Sequence, residues 1–496
     1  MIAKSFKKYD LLTVFIFIIC YTLVFSFYTI VRHNSFHSHA FDLGIFGQVF
    51  WSIVHYGTMA NTLETALYSY TPVNHLGVHF SLIYYLVAPV YAILQSPKTL
   101  LVIQSFMLGL GALPLYLIAR EKTNATFFSK VLCISYLLFP ALHSINVFDF
   151  HEIAFAPALI LFTLYFLETK DYKWFWVFFA LSLFVKEDIA LSGFFLGLYV
   201  IFAKKEKKLG LLISLISLIY FFAATKILMP LLGQPYNFTD RYLAFKTAGY
   251  SGYVGIFYTM ITHPLFTLQY VFLNPIKILY LIVLFYPVLF LPFCSKTALI
   301  LIIPSLFTNL LSSNPDQYSI HTQYTGTIIP FIFFTAVMGY KNLPQTLAKY
   351  KKLVCYMLII LAIISTTSAI IKTINNHKFL IPSNYPENTT LNNLIKKIPP
   401  KASVATMSHI ISHLTQRKEI WLFPNINNAE YVLFDFSVNS DPWPLKREEV
   451  FSLFENFIID KKYGVLEHEG CYVLLRNGSN AMKNKKTFME VKKKCS

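Results

Sequence analysis

The sequence predicts a polytopic α-helical membrane protein ending in a small extracytoplasmic α/β domain, and three observations carry that expectation. Hydrophobic residues fill 55% of the 496 positions and charged residues 14%, with a mean hydropathy of +0.53. A water-soluble globular chain does not have that balance. Apolar runs long enough to cross ~30 Å of hydrocarbon as a helix recur from residue 11 to about residue 372. Beyond that point the pattern turns to short alternating segments between polar turns.

In chain order, hydropathy places spans near 11–31, 100–119, 131–148, 153–167 and 174–186. Further spans fall near 189–203, 209–228, 278–294, 297–311, 326–340 and 353–372, about eleven in all. The first follows Lys4, Lys7 and Lys8 but is too long for a signal-peptide core and lacks a small-residue cleavage site, so it reads as an uncleaved span. With the N-terminus in the cytoplasm, Lys and Arg concentrate on the inner side, around Arg120–Lys130, Lys170–Lys173, Lys204–Lys208 and Lys341–Lys352. The positive-inside rule requires that bias. The apolar stretch Leu76–Gln95 would invert every later loop if it crossed, so it is expected as an interfacial helix within the outer loop 32–99, stopped at Ser96-Pro97.

Residues 229–277, rich in Tyr, Gly and Phe and broken at His263-Pro264, form a second long outer loop, of a length usually tied to function or mobility. Residues 1–372 then make the transmembrane domain and 373–496 the extracytoplasmic one. In the tail, Ser403–Met407, Glu419–Phe423 and Tyr431–Phe436 are expected as strands, Arg447–Ile458 as a helix and Gly464–Arg476 as a hairpin. The net charge of +17 raises the question of nucleic acid, but the basic residues are scattered between spans and through the tail. No nucleic-acid partner is expected; the partner is the membrane lipid. Six cysteines without a CxxC spacing suggest neither a zinc site nor a disulfide framework.

Three ionisable clusters sit at ends of apolar segments: His37-Ser38-His39-Ala40-Phe41-Asp42, Asp149-Phe150-His151-Glu152 and Lys186-Glu187-Asp188. The topology puts all three on the outer face. Any one carboxylate there serves as well to end or cap a helix, and Lys186 with Glu187 reads equally as an internal ion pair. Three together favour chemistry. His33, His37, His39, His75 and His79 gather on the first outer loop, but their spacing matches no compact zinc motif.

The chain resembles the DUF2079 family of predicted membrane proteins, grouped with the GT-C superfamily of polytopic glycosyltransferases. The resemblance rests on Arg32-His33, Phe41-Asp42-Leu43-Gly44-Ile45-Phe46-Gly47-Gln48, Trp51, His79-Phe80-Ser81 and Gly111-Ala112-Leu113-Pro114-Leu115-Tyr116. It continues through Phe148-Asp149-Phe150-His151-Glu152-Ile153-Ala154, Val185-Lys186-Glu187-Asp188, Leu422-Phe423-Pro424 and Tyr472-Val473-Leu474-Leu475-Arg476. It implies a GT-C-like fold, a catalytic carboxylate on the first outer loop, a second acidic motif on a later one, and a lipid-phosphate-linked sugar as donor. Asp42 matches the first position and Asp149 the second. The first motif carries a lone Asp42 where other GT-C enzymes commonly have paired acids.

The function expected is therefore glycosyl transfer from a polyprenyl-phosphate sugar to a glycan, lipid or protein acceptor on the outer face of the cell or inner membrane. Asp42 acts as general base, with Asp149, His151 and Glu152 completing the catalytic group. Those four also admit a divalent cation, Mg or Mn. Lys186, Arg241 and His321 offer positive charge or donors to the leaving phosphate, with Tyr324 beside them. Arg32, His33, Gln48, His79, Glu187 and Asp188 complete the expected substrate-binding set. The rival classes are a transporter or flippase of a lipid-linked or small polar substrate, whose mark would be internal repeats with broken helices, and a non-catalytic envelope assembly factor. No such repeat is evident, and the charges gather at span ends rather than mid-span.

Overall fold

The computed structural model describes residues 8–66, 73–233, 238–245, 252–375, 388–438 and 440–495. Lys4, Lys7 and most of the Asn/Pro-rich linker lie outside the described residues. Among those described, five helices are long and apolar enough to cross a membrane: Tyr9–Asn34, Pro97–Thr123, Glu152–Thr169, Lys207–Leu232 and Lys351–Ala369. Two bent pairs, Thr126–Leu137 with Pro140–Val147 and Pro264–Phe272 with Pro275–Val288, raise the number to seven if each is one span.

The remaining apolar segments are shorter than hydropathy suggested. Ile83–Ile93, Ile189–Ala203 and Ile328–Lys341 are helices of fewer than the ~20 residues that a straight crossing needs. The segment expected as a span at 297–311 is a 3₁₀ turn, Ala298–Leu301, followed by the helix Ile303–Leu310. Proline explains several of these breaks, because it removes an N–H and holds the preceding residue out of the helical region. Phe139, before Pro140, is extended and the two arms bend by 41°. The segment 229–277, expected as a loop, contains the apolar helices Gly252–Thr262 and Pro264–Phe272.

The helices carry apolar side chains on both faces, as a membrane protein must. Along Lys8–Asn34, Val14, Ile18 and Tyr21 are buried, whereas Leu12, Phe15, Ile19, Leu23 and Phe27 face outward. Such an outward apolar stripe is matched to lipid, not water. Ile189–Ala203 and Lys207–Phe222 cross on small residues: a Cβ on Gly197 would lie 2.5 Å from the carbonyl oxygen of Gly210. Close backbone approach is how helices associate where lipid supplies no hydrophobic drive.

In the tail, a five-stranded sheet runs Ile420–Leu422, Val404–Thr406, Tyr431–Asp435, Tyr472–Asn477, Tyr463–Glu469. The first three strands are parallel and the last two pairings antiparallel, with a bulge between Val465 and Glu467. The helices Arg447–Asp460 and Asn484–Cys495 bury Phe454, Phe457, Phe488 and Val491. Contrary to the reading of the cysteines, Cys471 and Cys495 form a disulfide, with Cα atoms 5.9 Å apart. Sequence spacing could not reveal it, because the hairpin turn and the C-terminal helix meet only in three dimensions.

The sheet's near edge is seated on the segment that follows the first long helix. Ser408 Oγ accepts from the Ala40 amide at 3.2 Å, Thr62 Oγ1 accepts from the Ile420 amide at 3.1 Å, and the Gln48 amide group donates to the Lys418 carbonyl at 3.0 Å. The His33 ring stacks on His413 at 4.1 Å. Gly47 makes this approach feasible, since a Cβ there would lie 2.5 Å from Thr415 Oγ1. Gly47→Val is therefore expected to destabilise the protein by ~1–3 kcal/mol through overpacking. Thermal unfolding and protease sensitivity of the tail in detergent solution check it; unchanged values would mean that Thr415 yields freely.

Candidate active site

Folding brings the three ionisable clusters into contact, and each link has a local cause. Arg32 ends the first span, where a cation complements the helix dipole. Asp42 lies on a π-helical turn, Ala40–Gly44, ahead of the helix Ile45–Tyr56. Asp149 to Glu152 connect the arm ending at Val147 with the span beginning at Glu152. Lys186 to Asp188 occupy the short turn before Ile189–Ala203, and the Phe184 carbonyl accepts from the Ile83 amide at 2.9 Å, tying that turn to the helix Ile83–Ile93.

The pairings run as follows. Arg32 bonds the buried Asp149, whose other oxygen accepts from the His39 amide at 3.0 Å. Asp42 Oδ1 lies 3.0 Å from His151 Nε2. Lys186 Nζ lies 3.1 Å from Glu152 Oε1, and the Tyr84 hydroxyl donates to Glu152 Oε2 at 2.9 Å. His79 Nδ1 lies 3.2 Å from Glu187 Oε1, and the Phe80 amide donates to Glu187 Oε2 at 2.9 Å. Of the four carboxylates, Asp42 is 22% exposed against 1% for Asp149, 2% for Glu152 and 5% for Glu187. Asp42 is thus the one that an incoming molecule reaches most easily. Burial works to keep His151 neutral, but the facing Asp42 and then Glu152 outweigh it and raise its pKa. His151 is thereby biased toward the cation.

Sequence reasoning missed the residue that shapes this loop. Gln104, fully buried on the span Pro97–Thr123, donates to the carbonyls of Ile145, Asn146 and Asp149 at 3.3, 3.0 and 2.9 Å and accepts from the His151 amide at 2.9 Å. Asp149 has φ of +84°, a conformation that a non-glycine residue holds only when its surroundings impose it. Gln104 and Arg32 impose it. The available signal was an uncharged but strongly hydrogen-bonding side chain in an apolar run, which buried polar groups must satisfy.

A cavity of about 150 Å³ lies beside the Glu152–Lys186 pair, lined by Lys186, Glu187, Asp188, Arg241, Asn309 and Tyr324 among others. The Arg241 guanidinium sits 5.3 Å from the centre of the Tyr324 ring. Enclosure in the protein, together with Glu187 and Glu152 and against Lys186, raises the pKa of Asp188. His321 is exposed and is not among the lining residues. His33 is buried against Ser38 and His413, and Gln48 is fully buried with Thr62 and tail carbonyls. Those three stand apart from the cavity, and Arg32, Asp42, His79, Asp149, His151 and Glu152 are not among its lining residues either.

The expected cation site, Asp42 with Asp149, His151 and Glu152, does not assemble. Each carboxylate faces its own cation or imidazole, and among the described residues no three His, Cys, Asp or Glu side chains converge on one ion position. The residues present do not fit a divalent metal, which needs several oxygen ligands around one point.

Behind the cluster, Glu64 and His75 form a second buried pair, 3.0 Å apart with side chains 3% and 2% exposed. Burial alone would raise Glu64 and lower His75; their attraction, aided by an Asn61 hydrogen bond to Glu64, reverses both. His75, held above 6.5, contributes stability that is fully present below that pH and is lost as pH rises through its folded pKa. Glu64, held below its ordinary value, contributes stability that is lost only as pH falls through that lowered pKa. The stability difference between wild type and Glu64→Gln should therefore narrow as pH climbs above 6.5. Thermal unfolding from pH 5 to 9 measures it, and parallel curves would exclude the coupling.

Two solved structures share this fold, a helical scaffold in which loop carboxylates and cations meet beside a cavity. ArnT from Cupriavidus metallidurans bound to undecaprenyl phosphate matches with a TM-score of 0.56 at 11% identity, over 94% of this chain and 98% of that one. The apo state of the same protein matches with a TM-score of 0.50 at 11% identity, over 90% and 95%. The chain itself belongs to the DUF2079 family, described as predicted membrane proteins, whose model matches residues 32–474. It is an integral membrane protein with an ArnT-like fold. No curated protein matches it significantly in sequence.

Proposed function

We propose that this protein is a membrane glycosyltransferase that moves a sugar from a polyprenyl-phosphate donor to an acceptor hydroxyl or amine on the extracytoplasmic face. The observation that carries the reading is Asp42, the most exposed of the four carboxylates that hold a cation or imidazole, set 3.0 Å from His151. Asp42 takes the proton from the acceptor as it attacks the anomeric carbon. The bond from that carbon to the phosphate oxygen breaks with inversion, and polyprenyl phosphate leaves with the electron pair. A phosphate needs no strong acid to leave, only positive charge and donors; Lys186 and Arg241 at the cavity supply the charge, with Tyr324 beside them and His321 farther out. Asp149, His151 and Glu152 hold the geometry, aided by Arg32, His79 and Glu187, and Asp188 accepts hydrogen bonds from substrate hydroxyls. His33 and Gln48 support the site through the tail. No step is routed through a metal ion.

The ArnT likeness supports a polyprenyl carrier, since one of those structures is bound to undecaprenyl phosphate. The Cys471–Cys495 disulfide supports an extracytoplasmic tail, because disulfides persist in oxidising compartments. A cytoplasmic N-terminus is supported by the basic residues around Arg120–Lys130, Lys170–Lys173, Lys204–Lys208 and Lys341–Lys352. The test is transfer of sugar from a membrane polyprenyl-phosphate donor pool by purified wild type and Asp42→Asn, read by mass spectrometry of lipids and glycans. Transfer by wild type alone supports the reading. No transfer or hydrolysis across a broad donor panel moves the function to transport or scaffolding.

A further inference from the structure

Lys277 lies in the first turn of the helix Pro275–Phe285, the second arm of a pair bent by 73°. Its side chain is 1% exposed, and its Nζ has no hydrogen-bond partner among the described residues. It faces two aromatic rings instead, Tyr270 at 3.6 Å and Tyr318 at 4.9 Å from the ring centres. Ring faces attract an ammonium but offset only part of what it loses on leaving water. Nor is it needed to cap the helix, because the Asn274 side chain already accepts from the amides of Ile276 and Lys277 at 3.0 and 3.4 Å. A charged group at membrane level with three unused N–H donors calls for a partner.

The surroundings identify that partner's chemistry. Leu273, Ile276 and Leu279, next to Lys277 on the same bent pair, are all exposed apolar side chains, as is Leu268 on the preceding arm. Tyr270 is only partly buried and covers Nζ from that side. Exposed apolar side chains on the two arms that flank a single buried cation fit a molecule with acyl chains and one anionic head. We infer that Lys277, framed by Tyr270 and Tyr318, is a phosphate-binding site for a lipid headgroup, with the acyl chains lying along Leu268, Leu273, Ile276 and Leu279. The ammonium donates to the phosphate oxygens once the Tyr270 ring shifts from above it.

The site is separate from the Lys186–Arg241 cavity, whose lining excludes Lys277, yet it is joined to it. The Tyr270 hydroxyl donates to the Ser312 carbonyl at 3.2 Å, and the Ser312 hydroxyl bonds Gln317, which lines the cavity. A shift of Tyr270 on lipid binding is therefore transmitted to one cavity wall. This inference concerns binding alone and stands whether or not the protein transfers sugar.

The experiment is thermal unfolding of the purified full chain in a neutral detergent, with added phosphatidylglycerol, a diacylglycerol of the same chains, or inorganic phosphate. Wild type should gain roughly 3 °C or more with phosphatidylglycerol and nothing with diacylglycerol. Lys277→Met should lose that response, and Lys277→Arg should keep it. An equal gain with inorganic phosphate supports the same phosphate site and assigns it to the free anion. A Lys277→Met protein that is more stable without lipid and still responds to phosphatidylglycerol like wild type would overturn the inference, leaving Lys277 a strained packing residue. An absent wild-type response would overturn it equally.

Discussion

Asp42→Asn should lower the turnover of sugar transfer by ~10²–10⁴-fold, the range that a positioned general base supplies. Asparagine keeps the shape and the hydrogen bond to His151 but cannot take a proton. Donor binding depends on other groups, so the loss should fall on kcat with KM for the lipid donor nearly unchanged. The substitution has a second electrostatic effect: burial favours neutral His151, and Asp42 is the main group holding it charged. In the variant the His151 pKa should drop, and NMR titration of the labelled ring would follow it. A partly exposed side chain changes stability little, so unfolding should stay within ~1 kcal/mol of wild type. A fall of less than tenfold, with the fold intact, would assign the proton to another group; Asp188, whose pKa is raised in the cavity, would be tested next.

Much of this site was legible because ionisable residues at the ends of apolar runs are expensive and therefore conspicuous. The distribution of basic residues puts Asp42, the Asp149–Glu152 segment and the Lys186–Asp188 turn on one face, and in the structure ion pairs join them. What sequence could not give was partnership. Arg32 belongs to Asp149 and His151 to Asp42, pairings that span more than a hundred residues and depend on how helices cross. That pairing is also why the expected cation site fails, since ligand types are readable in a sequence but convergence is not.

The span count shows a different limit. A hydropathy window registers apolar length, whereas a crossing also needs an unbroken backbone, and prolines at positions 140, 275 and 304 sit in segments that break or shorten. The tail's strands announced themselves through alternation. Their attachment did not, because it rests on single polar atoms: Ser408 to Ala40, Thr62 to Ile420, Gln48 to Lys418. Gln48 stood out in the sequence as a motif residue, and its partners turn out to be tail carbonyls rather than the cavity.

Lys186→Met should produce the largest stability loss of any single change at the site, ~3–5 kcal/mol, because it strands Glu152. Glu152 is 2% exposed and would keep one hydrogen bond, from the Tyr84 hydroxyl at 2.9 Å, with the His151 and His75 imidazoles as more distant positive neighbours. The charge-assisted contact at 3.1 Å is worth less than the penalty of leaving one partner buried alone, so the second substitution should repair most of the damage. In Lys186→Met/Glu152→Gln the unpaired charge is gone, and unfolding in detergent should return to within ~1 kcal/mol of wild type, a coupling that the double-mutant cycle reads directly. Activity separates the two roles of the lysine. Were Lys186 only a partner for Glu152, the double variant would regain transfer together with stability. Lys186 also lines the cavity beside Arg241, where the leaving phosphate needs positive charge, so the expected result is a stable protein that remains slow. A double variant with wild-type turnover would remove Lys186 from the chemistry and leave it a structural counter-ion.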